Sequence, residues 1–286
     1  MGLAKNREAL SYGRTMHLKR WLTALVLIPL LILVILKGRR VGVVLAVLLV
    51  NGLAQWEFLG FFQQNVDMAR KIKAIILGSL LVLSFCTVAG PQGLAAPILV
   101  LVGCLFALFL FYLMSYEHIQ EPVRDLSINT LGLVYIPLLL GHLVWLRYMA
   151  EGEWWMLWLL AVICSGDTAA YYTGKTWGKK KFYPLVSPGK TWVGTFGGLA
   201  ANLVVGIAVG RWLLPGQSLS CLAIVAAMLG CIGLLGDLFE SMLKRQAQVK
   251  DASSLLPGHG GMLDRIDSLL FAAPALVYAR LFLLNM

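Results

Sequence analysis

Apolar runs close to 20 residues long, free of charge, recur along this chain. WLTALVLIPLLILVIL starts at Trp21 and VGVVLAVLLVNGLAQW at Val41. A helix needs about 20 such residues to cross the hydrocarbon core of a bilayer. A large soluble core is the competing reading, and it fails on run length. It also fails on polarity: 13% of the 286 residues are charged and 59% hydrophobic, where a soluble domain carries about 25% charged residues to cover its exterior. The expectation is an all-α, polytopic integral membrane protein with about nine transmembrane helices. They fall at 21–37, 41–62, 72–89, 94–116, 127–146, 154–173, 192–214, 219–240 and 267–284. No repeat or low-complexity linker divides the chain, so 1–286 reads as a single polytopic domain.

The formal net charge of +10 would point to nucleic acid in a soluble protein. Here no basic helix with interleaved aromatics accompanies it, and no nucleic-acid partner is expected. Its distribution instead orients the chain. Arg70, Lys71 and Lys73 follow the second span. Lys175, Lys179, Lys180, Lys181 and Lys190 follow the sixth, and Lys244, Arg245, Lys250 and Arg265 the eighth. These loops share one side with the basic N-terminus, which is expected to be cytoplasmic at the plasma (inner) membrane. Lys37, Arg39 and Arg40 fall on the other side of this arrangement. The N-terminal segment is signal-like but has no A-x-A site, so an uncleaved first span is expected. Cys86, Cys104, Cys164, Cys221 and Cys231 all lie in apolar runs without a CxxC pair, and read as small packing residues.

Polar residues inside spans divide the chain. Before residue 150 they are few, with Asn51, Gln55 and Glu57 the main ones, so 1–150 reads mainly as scaffold helices. In 151–286 the cytoplasmic span ends carry carboxylates or glycine-rich turns, and this part is expected to hold the active site. Asp237, Ser241, Lys244 and Arg245 are spaced to form one polar stripe on a helix. One Asp at a membrane boundary is more often a solvated helix end, but an acid aligned with two bases is a costlier arrangement and marks function. Pro257-Gly258 and Gly260-Gly261 follow, and such joints let backbone amides approach an anion. Asp264 and Asp267 then open the last span. Acids there suit a helix N-terminus, and they equally suit magnesium, which takes one or two carboxylates with water and phosphate oxygens. His259 has no second histidine or cysteine partner, so it reads as a phosphate contact or loop-shaping residue.

A third part comes from the sixth span and its loop, where Asp167, Tyr171 and Gly174 share a helical face. SPGKT (Ser187–Thr191) resembles a phosphate loop, but a Walker motif G-x-x-x-x-G-K-S/T needs glycine where Pro184 stands. Ser187, Lys190 and Thr191 can still grip phosphate. Acids for a cation, bases for phosphate and glycines for close approach are the parts of a phosphate-transfer site.

These residues carry a family resemblance. Ser241-x-Leu243-Lys244-Arg245, Lys250-Asp251, Pro257-x-His259-Gly260-Gly261 and Asp264-Arg265-x-Asp267 resemble the signature of the phosphatidate cytidylyltransferases, also called CDP-diglyceride synthases. Asp167, Tyr171 and Gly174, with Ser187-Pro188-x-Lys190-Thr191, are similar to a looser stretch of the same family, and Gln55-Trp56-Glu57 is reminiscent of it. The resemblance implies a magnesium-dependent reaction in which CTP and phosphatidate give CDP-diacylglycerol and pyrophosphate. It implies Asp237 and Asp264 as metal ligands, with a second cation, K+, suspected. Lys244, Arg245 and Asp267 join them as catalytic residues. Substrate contacts fall to Asp167, Tyr171, Ser187, Lys190, Thr191, Ser241, Lys250, Asp251, His259, Gly260, Gly261 and Arg265. The expected partners are CTP, phosphatidate and membrane lipids, with a homodimer left open.

Two rival readings remain at this point. A CTP-dependent polyprenol or dolichol-type lipid kinase would use the same carboxylates and bases but move the γ-phosphate. A transporter would place its charges near the bilayer midplane in related halves, whereas here they cluster at one surface and the halves do not match.

Overall fold

The structure is a computed structural model that describes residues 28–62, 67–88, 93–249, 253 and 260–283. Within these it is almost wholly helical: α1 (Ile28–Lys37), α2 (Arg39–Phe62), α3 (Met68–Ser84), α4 (Ala95–Met114), α5 (Pro122–Leu133), α6 (Leu139–Tyr148), α7 (Gly152–Trp177), α8 (Trp192–Leu213), α9 (Leu219–Gln246) and α10 (Leu263–Phe282). The all-α membrane reading holds. Five stretches among the described residues are long and apolar enough to cross a bilayer: Arg39–Phe62, Ala95–Met114, Pro122–Tyr148, Trp192–Leu213 and Leu219–Gln246. Of the expected first span, 21–37, only Ile28–Lys37 lies among the described residues. Helices α7, with 26 residues, and α10, with 20, have the length but are more polar.

Helices α5 and α6 run on through a π-helical segment, Val134–Leu138, with Pro137 inside it. Proline removes a backbone donor and crowds the preceding turn, so the wider register is a physical response to it. The segment brings Tyr135 inward, where its ring meets Phe58 of α2 at 6.4 Å, Phe239 of α9 at 5.0 Å and Phe271 of α10 at 6.3 Å. These four rings pack the first half of the chain against the second.

Arg39, with φ of 52°, stands just past Gly38 at the break between α1 and α2. The Arg40 guanidinium lies over the Tyr148 ring at 4.7 Å. Of the basic cluster that did not fit the loop-charge pattern, Arg40 is thus anchored on the end of α6.

One short hairpin joins α7 to α8. Strands β1 (Lys181–Tyr183) and β2 (Ser187–Thr191) are antiparallel, with Lys181 opposite Thr191 and Tyr183 opposite Ser187. The SPGKT stretch is therefore a strand that feeds a helix. Thr191 caps that helix, its Oγ1 accepting from the Gly194 N–H at 3.1 Å, which satisfies one of the orphan donors of the first turn.

Candidate active site

Helices α7 to α10 and the hairpin enclose a cavity of about 690 Å³. Its walls follow from helical periodicity. On α7, Gly166, Asp167, Ala170, Tyr171 and Gly174 line it, and on α8, Gly194, Gly198 and Asn202. These positions recur every three to four residues, so small side chains leave one continuous space between the helices. Gly230, Leu234 and Asp237 come from α9; Asp264, Arg265 and Asp267 from α10; and Lys181, Ser187, Gly189, Lys190 and Thr191 from the hairpin. Carboxylates from three helices and two lysines from the hairpin therefore meet in one space.

Ion pairs order them. Lys190 Nζ lies 2.5 Å from Asp237 Oδ2, and Ser241 Oγ donates to Asp237 Oδ1 at 3.3 Å. Lys244 Nζ sits between Asp264 Oδ1, at 2.6 Å, and Glu240 Oε2, at 2.5 Å. Asp167, Asp237 and Asp267 line this same space. Like charges gathered where hydration is poor repel unless a cation joins them. The lysines supply part of that compensation. Among the described residues, no group of three His, Cys, Asp or Glu side chains is already arranged to hold a metal ion.

Backbone geometry holds the acids in place. Gly236, one residue before Asp237, lets α10 approach α9, because a Cβ there would stand 2.5 Å from the carbonyl oxygen of Asp267. Gly260 has φ of 77° and a Cβ there would meet Asp264 Oδ2 at 2.7 Å, so both conformation and space call for glycine. Next to it, the Gly261 N–H donates to that same Oδ2 at 2.8 Å.

The structure thus brings together, around one cavity, Asp167, Tyr171, Ser187, Lys190, Thr191, Asp237, Asp264, Arg265 and Asp267. Ser241 and Lys244 join through their bonds to Asp237 and Asp264, and Gly260 and Gly261 through Asp264. Arg245 turns outward to the hairpin, where its Nε donates to the Val186 carbonyl at 3.2 Å. Lys250, Asp251 and His259 lie outside the described residues.

Two acids in these contacts were not singled out as site residues by the sequence reading. Glu240 is fully buried and paired with Lys244. Its signal was present, since a Glu four residues before a Lys on one helix face favours an ion pair. Glu57, from α2, accepts from the Met262 and Leu263 N–H groups at 2.9 and 2.8 Å. No local spacing connects positions so far apart, so only the fold could reveal that contact.

Comparison with known proteins bears on the chain as a whole. A model of the cytidylyltransferase family matches residues 18–283. A phosphatidate cytidylyltransferase of Pseudomonas aeruginosa is 35% identical over 261 residues, covering 90% of this chain and 94% of that protein. The chain spans about half the length of two further relatives. One is a phosphatidate cytidylyltransferase of Haemophilus influenzae, 41% identical over 47% of this chain and 48% of that protein. The other, from Escherichia coli, bears the name uncharacterized protein YnbB and is 42% identical over 49% of this chain and 48% of its own length. Matched along nearly its whole length, the chain belongs to the cytidylyltransferase family.

Proposed function

We propose that this protein transfers CMP from CTP to phosphatidate, giving CDP-diacylglycerol and pyrophosphate at the cytoplasmic face of a bacterial inner membrane. The observation that carries the reading is the convergence of Asp167, Asp237, Asp264 and Asp267 with Lys190 and Arg265 on one cavity among membrane helices. In the reaction a phosphate oxygen of phosphatidate attacks the α-phosphorus of CTP. The bond from that phosphorus to the α,β-bridging oxygen breaks, and pyrophosphate leaves with the electron pair. The lipid provides the nucleophile, so the protein's work is positioning and charge compensation.

Lys190, from the hairpin, and Arg265, from α10, would meet the phosphate oxygens of bound substrate. Lys244 holds Asp264 against Glu240 and fixes where that carboxylate points. Asp237 and Asp264 are hard oxygen donors of the kind magnesium takes, one or two at a time, with water and phosphate filling the rest. Both carboxylates line the cavity, where such an ion would reach them. Bound there, magnesium would neutralise phosphate charge and polarise the α-phosphorus. A second cation, with K+ as the candidate, would balance the remaining carboxylates.

The deciding experiment supplies purified protein with CTP, magnesium and phosphatidate in mixed micelles, and identifies the products. Equal amounts of CDP-diacylglycerol and pyrophosphate are expected. Release of CDP with a phosphorylated lipid would overturn the reading in favour of a lipid kinase.

A further inference from the structure

We propose that Glu57, on α2 in the first half of the chain, is a positioning residue that sets Asp264 by capping α10 from outside. Helix α10 lacks a side-chain cap of its own, since Met262, at its N-cap, is in the right-handed helical region and makes no side-chain cap bond. The first amides of such a helix need acceptors. Glu57 provides them: Oε1 accepts from the Met262 N–H at 2.9 Å and Oε2 from the Leu263 N–H at 2.8 Å. Oε1 also accepts from Ser253 Oγ at 2.6 Å, which fastens the α9–α10 connection at a second point.

Glu57 is 4% exposed, so these bonds are made away from water. A carboxylate at a helix N-terminus is favoured by both charge-assisted hydrogen bonding and the helix dipole. The next residue after the captured amides is Asp264. Its two oxygens are taken by Lys244 and by the Gly261 N–H. Glu57 therefore fixes the backbone that carries Asp264, while Lys244 and Gly261 fix the carboxylate. On this account the first half of the chain sets the geometry of the site in addition to packing against it.

The inference rests on Asp264 acting in the transfer, and its test separates the two ideas. Full-length Glu57→Gln and Glu57→Asp proteins are purified alongside Asp264→Asn and the Glu57→Gln/Asp264→Asn double variant. Three quantities are read: steady-state kinetics with a magnesium titration, melting temperature, and hydrogen exchange of the peptide containing Met262 and Leu263. Glu57→Gln should lower kcat by about tenfold or more, while KM for CTP moves less than about twofold. It should also raise the magnesium concentration for half-maximal rate and speed exchange at that peptide. Glu57→Asp, which keeps the charge, should restore part of the rate and protection. The double variant should be no slower than Asp264→Asn.

A lowered melting temperature with unchanged kcat in the folded fraction would overturn the proposal, leaving Glu57 a stability residue. Unchanged exchange at Met262 and Leu263 would overturn it as well, and so would losses that multiply in the double variant. If Glu57→Gln fails to fold, Glu57→Asp decides by the same three readings. Full activity in Asp264→Asn would instead sink the assignment of Asp264, a separate failure, and the exchange data would still judge the cap.

Discussion

In the helices before residue 150, buried polar side chains answer one another. Gln55 Nε2 donates to Asn51 Oδ1 at 2.8 Å, Asn51 Nδ2 reaches Ser79 Oγ at 3.4 Å, and Asn129 Nδ2 donates to the Tyr112 hydroxyl at 2.9 Å. Each pair ties one helix to its neighbour, or one turn to the next. In α7 to α10 the polar side chains instead face a shared space, and their pairs are ionic: Lys190 with Asp237, and Lys244 with Asp264 and Glu240. Closed neutral pairs hold a membrane bundle together at modest gain. Open charged groups are costly in lipid and persist where a ligand needs them. Glu57 crosses the divide, since it belongs by sequence to the first half and by contact to the second.

That contrast can be broken by substitution. The largest loss belongs to the acids: Asp237→Asn or Asp264→Asn should each lower the rate of pyrophosphate release by about a hundredfold or more, with normal membrane insertion. Lys244→Met comes next, at about tenfold to a hundredfold, because it frees Asp264 and leaves Glu240 buried with its charge unanswered. Arg245→Gln, which weakens the tie between α9 and the hairpin, should cost about tenfold or less, read mainly in KM for CTP. The smallest effect on chemistry is predicted for Gln55→Leu. It removes a closed pair of the first half and should lower stability by about 1 kcal/mol, seen as a shifted melting curve with kcat unchanged. If Gln55→Leu lowered kcat as Lys244→Met does, the two halves would not differ as described. Sidedness sharpens the comparison: a single cysteine at Phe182, on the hairpin, should label only from the cytoplasmic side.

Much of this architecture was legible because hydropathy and helical spacing are local properties. The expected spans 192–214 and 219–240 match Trp192–Leu213 and the first part of Leu219–Gln246 closely. The stripe Asp237, Ser241, Lys244 and Arg245 could be read from periodicity alone; its first three members meet around Asp237 and Asp264, while Arg245 turns to the hairpin. The hairpin was not legible, since three and five residues of strand carry little signal between two long helices. The pairing of Lys190 with Asp237 and the capping of α10 by Glu57 were hidden for another reason. Each joins residues far apart in sequence, and only tertiary packing brings them together.

Asp237 of α9 and Asp264 of α10 line the same cavity, and the proposed transfer has them work as a unit. The most direct measurement is pyrophosphate release from CTP and micellar phosphatidate by Asp237→Asn, Asp264→Asn and the double variant, each across a magnesium titration. If the two act together, the double variant should be barely slower than either single one, and added magnesium should partly restore the singles but not the double. Losses that multiply, at unchanged magnesium dependence, would contradict the claim.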